Sequence, residues 1–237
     1  MRLALIAVVA LVGCTVSEPI PEGAGLTEAC PRPNEISYVK TVDDSGIETF
    51  WHADDVSCIT VYTDPIGRAS PSPAEKHAAV QRSIATWNAA AEGCVLALCL
   101  RDGGSNPPAG AVGHNTSGAN ANVVTFIDDR GRWESTFPEA ASAFGITLIT
   151  SVVGSGRMVD SDIFVNEGRF AHSVASETEA GKADLESVIT HELGHLLGFD
   201  HTQTALAVMF DSLGTGVAKR SLHPIDVTGL CELYACY

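Results

Sequence analysis

The clearest helical pattern in the chain lies between residues 72 and 93. Apolar side chains recur at Val80, Ile84 and Trp87, which is the spacing of one stripe along a helix. Ser72 in front of this stripe, with Glu75 three residues later, has the pattern of a capping box, and a proline occupies the first helical position between them. The sequence therefore predicts a long first helix that begins after Ser72.

Two further helices are predicted in the C-terminal half of the chain. Asp184 is the expected cap of a helix whose apolar residues continue to Leu196 and which ends at Gly198. Pro224 is expected to open a last helix with Leu230 among its inward residues. Short apolar or β-branched runs predict strands at 57–62, 94–100, 122–127, 146–150 and 158–165. Strands with few helices between them predict an α+β arrangement, with a surface loop at 101–121.

The N-terminus has the pattern of an export signal. A short positive start, Met1-Arg2, precedes a continuous apolar run over residues 3–12. As a helix this run would span only about 15 Å, half of a bilayer core, so it fits a signal segment and not a transmembrane helix. It ends in Leu-Val-Gly-Cys, which resembles the bacterial lipobox and implies that Cys14 becomes lipidated. The alternative is an ordinary signal peptide with a chance cysteine.

These patterns divide the chain into three parts. Residues 1–13 are the predicted signal peptide, residues 14–35 are a tether rich in Pro, Gly and Glu, and residues 36–237 form one folded domain. We expect an exported, lipid-anchored protein that faces the periplasm or the exterior, acts as a monomer and contacts the membrane through the anchor alone.

Composition narrows the classes of partner. The chain has 14 Lys and Arg against 29 Asp and Glu, a formal net charge of −15, and it contains no basic run. Nucleic acid binding needs clustered positive charge, so we exclude that class. An apolar content of 45% is enough for a full hydrophobic core.

The six cysteines other than Cys14 predict three disulfides, because their number is even and the chain has the pattern of an exported protein. Cys94 and Cys99 are close enough in sequence for a local bridge, as are Cys231 and Cys236, and Cys30 and Cys58 would then remain. Sequence alone leaves other pairings open, and free buried thiols are the alternative.

The stretch from His191 to His201 contains the candidate metal ligands and a candidate catalytic residue. His191 and His195 are four residues apart, so on a helix both point the same way and can bind one Zn²⁺. Glu192 lies about 100° around the helix, where it can reach a water without being a ligand. Gly198 can end the helix in a left-handed conformation and let the chain bring in His201 as the third ligand. A fourth position then stays open, as catalytic zinc sites require.

This motif resembles that of the metzincin zinc metallopeptidases, and within them the matrixins. The resemblance implies a zincin-like α+β fold with a twisted mixed sheet of about five strands, the long first helix, a zinc-binding helix and a C-terminal helix. Met209 would form the family's Met-turn beneath the metal, and Asp226 would support its backbone. The family's Pro-Arg-Cys-Gly cysteine-switch segment does not occur in the sequence, so the resemblance does not extend to latency through a cysteine on zinc.

The resemblance also implies an activity. One catalytic zinc would be held by the three histidines, with Glu192 as general base for a zinc-activated water that hydrolyses peptide bonds of extracellular or envelope proteins. A peptide substrate would add to an exposed edge strand through Thr147, Leu148 and Ile149, and residues 211–221 would wall the main specificity pocket. A Ca²⁺ ion is a further expectation, through carboxylates among Asp128, Asp129, Asp160 and Asp162.

Two other functions remain open at this point. One is a surface binding lipoprotein that keeps the metzincin shell without turnover. The other is a different His-Glu-x-x-His hydrolase whose third ligand is a distant Glu. Glu192 argues against the first, because metal binding does not need it, and His201 with Met209 argues against the second.

Overall fold

The computed structural model describes residues 3–13, 38–52, 58–92, 99–117 and 120–234. In chain order the strands are β1 Leu3–Gly13, β2 Cys58–Asp64, β3 Cys99–Asp102, β4 Asn122–Ile127, β5 Ala143–Val152, β6 Arg157–Asn166, β7 His172–Ser173, β8 Ala183–Asp184 and β9 Ser212–Leu213. The helices are α1 Pro73–Ala91, α2 Arg130–Thr136, α3 Leu185–Leu196 and α4 Pro224–Tyr234. None of the described helices is long and apolar enough to cross a membrane.

One twisted mixed sheet forms the body of the fold. Its strand order is β3-β2-β4-β6-β5-β1-β9, and β7 pairs with β8 in a separate small ladder. The first four strands run parallel to one another, whereas β5 is antiparallel to β6. These five strands are the predicted α+β core sheet. Strands β1 and β9 extend it beyond β5, and that extension was not predicted.

Helix α1 begins as its sequence predicts. The Ser72 side chain accepts a hydrogen bond from the Glu75 backbone, and the Glu75 carboxylate accepts one from the Ser72 backbone, so both halves of the capping box form. Trp87 is buried on the inner face, and its Nε1 donates to the Thr190 carbonyl of α3 at 2.8 Å. This bond fixes α1 against the helix that carries the candidate metal ligands.

Helix α3 is buried along its whole length, including its polar residues. Asp184 caps it by accepting from the Ser187 backbone at 2.9 Å, and Arg220 forms an ion pair with the same carboxylate. Burial of His and Glu side chains in a helix is costly unless they are paired or have a function. The position of α3 therefore singles out its polar face for closer inspection.

Gly198 ends this helix and redirects the chain. Its φ of +103° is in the region that favours glycine, and a Cβ there would lie 2.5 Å from the Thr49 carbonyl oxygen. Both the backbone conformation and the lack of space therefore favour glycine at this position. The tight exit brings His201 back toward the helix, as the sequence predicts.

The predicted pairing of Cys94 with Cys99 is wrong. Cys99 forms a disulfide with Cys58, with 4.5 Å between their Cα atoms. The cause is strand register, because β2 and β3 run parallel with Cys58 directly opposite Cys99. This pairing also removes Cys58 from the expected bridge to Cys30. Cys231 is disulfide-bonded, and Cys30, Cys94 and Cys236 lie outside the described residues.

Two other elements differ from expectation. Helix α2, capped by Asp129 through the Arg132 backbone, was not predicted. The apolar run at residues 3–12, expected as the core of an export signal, forms strand β1. Its role in export stays a prediction, and the predicted lipidation site Cys14 and the predicted tether lie outside the described residues.

Candidate metal centre

Three histidine side chains converge on one point. His191 and His195 lie one turn apart on α3, and His201 follows the turn at Gly198. One ligand nitrogen from each ring can be chosen so that all three lie within 4.8 Å of one another. Among the residues that the structure describes, this is the group of His, Cys, Asp and Glu side chains that meets such a requirement.

Backbone carbonyls orient the two helical histidines. His191 Nδ1 lies 2.6 Å from the Val208 carbonyl oxygen, and His195 Nδ1 lies 2.6 Å from that of Phe199. A carbonyl can only accept, so each Nδ1 carries the proton and each Nε2 presents a lone pair. The two Nε2 atoms are 3.0 Å apart, and the buried Nε2 of His201 has no hydrogen-bond partner among the described residues.

Lone pairs at this distance need a cation between them, and a proton is a poor candidate. Burial lowers the pKa of His195 to about 3, with His201 adding to the effect. Burial, then the neighbouring histidines, also holds the pKa of His191 well below its usual value. The rings are therefore neutral at physiological pH. Three neutral imidazoles fit a divalent ion such as Zn²⁺, for which imidazole is a preferred ligand.

Glu192 lies beside the histidines with one oxygen free. Its Oε2 accepts a hydrogen bond from the Thr147 hydroxyl at 2.7 Å, while Oε1 is buried without a partner. Burial raises the pKa of this carboxyl well above its usual value. Gly145 on β5 leaves room for the carboxylate, because a Cβ there would lie 2.7 Å from Oε1. The arrangement presents a proton acceptor that no donor among the described residues occupies.

The residues after His201 form a buried turn that supports the histidines. Asp226 accepts hydrogen bonds from the backbone of Val208 at 2.9 Å and of Met209 at 3.2 Å. The same turn supplies the Val208 carbonyl that orients His191. Met209 is buried against Gly194, where a Cβ would lie 2.1 Å from its sulfur. The roles of Met209 as a Met-turn and of Asp226 as its support stay predictions from the resemblance.

The predicted substrate-binding residues lie in β5, but its outer edge is not free. Thr147 faces Glu192. Leu148 packs against a small apolar cluster around Trp133 and Phe137, whereas Ile149 lies in the larger apolar core between the sheet and helices α1 and α3. Strand β1 pairs with β5 along this edge. The structure therefore differs from the expectation of an exposed edge.

The aspartates expected to bind calcium do not converge as a group of three among the described residues. Asp129 caps α2, and Asp162 accepts from the backbone of Val123 at 2.9 Å and of Gly113 at 2.5 Å. Asp160 is buried with Oδ1 unpartnered, and burial, together with the charge of Asp162, raises its pKa to about 7. A calcium ion stays a prediction.

Sequence reasoning missed the partners that orient the site. Gly145 was not singled out, and Thr147 was named for substrate binding and not for its bond to Glu192. Both lie far from α3 in the chain, and no local pattern indicates which strand residue meets which helix residue. The carbonyls of Val208 and Phe199 carry no sequence signal, since every residue has one.

Fold and site together define an α+β protein with three converging histidines that could hold a metal ion and a buried carboxylate beside them. The family model described as matrixin matches residues 104–235, which is just over half of the chain. The chain therefore belongs to the matrixin family.

Several plant proteins are similar over shorter stretches. The chain is 51% identical to metalloendoproteinase 1-MMP of Arabidopsis thaliana over 51 residues, 22% of this chain and 14% of the relative. It is 36% identical to metalloendoproteinase 5-MMP of the same plant over 75 residues, 32% of this chain and 20% of the relative. With metalloendoproteinase 1 of Glycine max it shares 43% identity over 51 residues, 22% of this chain and 17% of the relative. The chain thus spans a fifth or less of the length of these relatives.

Proposed function

We propose that the protein is a zinc-dependent endopeptidase. The observation that carries the proposal is the convergence of three neutral imidazoles beside a carboxylate with one free oxygen. A structural zinc site would use a fourth protein ligand and would have no need of Glu192. Membership of the matrixin family and the names of the plant relatives support the same reaction.

The metal would be held by Nε2 of His191, His195 and His201. Zinc, when bound, supplies a Lewis acid that makes water nucleophilic at neutral pH and polarises a carbonyl group. The protein's own contribution is to fix the rings. The carbonyls of Val208 and Phe199 set both helical histidines in the tautomer that leaves Nε2 free, and Asp226 holds the turn that carries Val208.

Glu192 is the general acid and base in this proposal. Its free Oε1 takes a proton from the attacking water and then gives it to the departing amine nitrogen. Thr147 holds the other oxygen, which leaves Oε1 as the one that exchanges the proton. The raised pKa of the buried carboxyl suits this role, because a carboxylate that holds a proton more tightly takes one from water more readily.

The substrate is proposed to be an extended stretch of a protein. A peptide beside Thr147, Leu148 and Ile149 would form main-chain hydrogen bonds with β5, and residues 211–221 would line the pocket that selects one side chain. We further propose that the protein is exported and anchored by lipid at Cys14, which rests on the N-terminal sequence pattern alone. The targets would then be envelope or extracellular proteins.

A digest of a denatured protein substrate and a peptide library tests the proposal. The purified chain beginning at residue 14, with Cys14→Ser to prevent lipid attachment, should cleave internal peptide bonds. A chelator should abolish cleavage, and added Zn²⁺ should restore it. The alternative, a binding lipoprotein without turnover, predicts a zinc-loaded chain that cleaves nothing in either assay, and that result would reject the proposed function.

A further inference from the structure

Strand β1 lies in the place that the proposed function assigns to a substrate. It runs antiparallel along the outer edge of β5, from Leu3 opposite Val152 to Val12 opposite Ala143. Its last residues pair in parallel with β9, where Val12 is opposite Ser212 and Gly13 is opposite Leu213. Residues 3–13 therefore fill a slot that has β5 on one side and β9 at its end.

The middle of β1 passes the candidate catalytic group. Val8 is opposite Thr147 and Ala10 is opposite Gly145. These two β5 residues are the ones that contact the Glu192 carboxylate, Thr147 by a hydrogen bond and Gly145 by its lack of a side chain. Neighbouring strands are about 4.8 Å apart, so the β1 backbone lies one strand spacing from the residues beside Glu192. Helix α3 lies against β1 as well as β5.

Residues 3–13 could occupy the slot, but they could not act as ligands of a metal ion. Its sequence, Leu-Ala-Leu-Ile-Ala-Val-Val-Ala-Leu-Val-Gly, contains no His, Cys, Asp or Glu. It cannot coordinate a metal through a side chain. The segment instead covers the edge of β5 whose main-chain groups a bound peptide would need for hydrogen bonds.

We propose that residues 3–13 are an internal occupant of the peptide slot and keep the uncut chain from binding substrate. This inference rests on the proposed function. Because residues 3–13 are covalently joined to the domain, their effective concentration at the slot is set within the chain and is on the order of millimolar. A segment of even modest affinity therefore outcompetes a substrate present at micromolar concentration. Cleavage before Cys14, which the sequence predicts, would both complete export and open the slot.

The test compares two proteins that both carry Cys14→Ser, the full chain and the chain that begins at residue 14. They are loaded with zinc, and kcat/KM is measured on a quenched fluorescent peptide. Removing residues 1–13 should raise kcat/KM about tenfold or more, as expected for a competitor at millimolar effective concentration. In the full chain, the amides of residues 146–150 should exchange with deuterium more slowly than in the shorter chain. Equal rates of hydrolysis, or equal exchange, would overturn the proposal.

Two proline variants of the full chain provide matched controls. Successive N–H groups of a strand point to opposite edges, so only one of Val8 and Val9 directs its N–H at β5. Val8→Pro and Val9→Pro should therefore differ, and the one that removes a bond to β5 should raise both hydrolysis and amide exchange toward the values of the shorter chain. If neither variant changes either readout, the segment does not hold the slot.

The two proposals fail in different ways. If the chain that begins at residue 14 binds zinc and cleaves nothing, the proposed function fails, while amide exchange still reports whether residues 3–13 cover β5. If that chain cleaves well and the full chain cleaves equally well, the proposed function stands and the internal occupant is rejected.

Discussion

Among the residues that the structure describes, two clusters of polar side chains contain a histidine with a buried, unpartnered ring nitrogen, and only one of them has the properties of a metal site. The first is the metal centre of His191, His195 and His201. The second, here called the lysine cluster, consists of Lys76, Glu167, Arg68 and His172. Both nitrogens of His172 and Nε2 of His201 are buried without a hydrogen-bond partner among the described residues.

The difference lies in the charge that each cluster already contains. In the lysine cluster, Lys76 Nζ lies 2.7 Å from Glu167 Oε2, with both side chains at most 1% exposed, and it also donates to the Arg68 carbonyl. The cations Lys76 and Arg68 are close enough to His172 to lower its pKa. In the candidate metal centre, three neutral rings present lone pairs to one another; Lys219 also lowers the pKa of His191, but its Nζ donates to the Ala205 carbonyl at 2.9 Å. A single buried nitrogen without a partner is therefore not enough to identify a metal site. Three neutral rings whose lone pairs converge on one point are a much stronger indication.

The largest expected effect separates catalysis from metal binding within α3. Glu192→Gln should lower kcat by about a hundredfold to ten-thousandfold, the usual contribution of a general base, and should leave one zinc per chain. Glu186→Gln is the matched control, because Glu186 is on the same helix but pairs with Arg82. Peptide hydrolysis and metal content are measured on both. A Glu192→Gln chain that keeps most of its activity would exclude this residue as the base.

The lysine cluster should respond in stability and not in metal binding. Lys76→Met leaves Glu167 as an uncompensated buried charge, so the free energy of unfolding should fall by about 3–5 kcal/mol. Adding Glu167→Met removes that charge and should recover most of the loss. Denaturant unfolding of the zinc-loaded proteins measures both effects. A single variant as stable as the parent would mean that the buried ion pair is not as close as the structure has it.

Zinc affinity distinguishes the two clusters directly. His201→Ala removes one of three proposed ligands and should weaken zinc binding by at least about a hundredfold, since loss of outer partners alone costs about 10–100-fold. His172→Leu should leave the affinity unchanged. Competition with a chromophoric chelator measures both. Equal weakening in the two variants would contradict the assignment of the third ligand.

The smallest expected effect is a pH dependence of stability. Burial, with Lys76 and Arg68, lowers the pKa of His172 to about 3, so the unfolded chain binds more protons than the folded chain between that value and 6.5. The free energy of unfolding therefore keeps its full value above pH 6.5 and decreases as the pH falls from 6.5 toward 3, because protonation of His172 favours the unfolded chain. Between pH 7 and pH 5, the parent should lose about 2 kcal/mol more than His172→Leu. Parallel losses in the two proteins would contradict the burial of a neutral imidazole.

Local signals were sufficient to predict the helices that build the site. The Ser72–Glu75 capping box, the Asp184 cap and the exit at Gly198 are short-range interactions between residues a few positions apart, and the structure has all three. Strand pairing is a long-range property. The register of β2 with β3, which joins Cys58 to Cys99, and the pairing of β1 with β5 depend on contacts between distant parts of the chain, and no local pattern predicts them.

The same distinction holds within the site. The spacing of His191, His195 and His201 is enough to predict that their rings converge, because helix geometry and one glycine turn fix where the rings point. The hydroxyl of Thr147 and the space at Gly145 meet Glu192 only because β5 lies against α3. Sequence therefore predicts the three histidines and Glu192 as a group, while the structure adds the residues that hold the Glu192 carboxylate in place.

The most direct test of the central claim is X-ray absorption at the zinc edge of the purified chain that begins at residue 14, with metal content measured on the same sample. We predict one zinc per chain with three imidazole nitrogens at about 2.0–2.1 Å and an oxygen ligand at the remaining position. His201→Ala should lose one of these imidazoles. A sulfur ligand, fewer than three histidines in the parent chain, or a chain that binds no zinc would contradict the account.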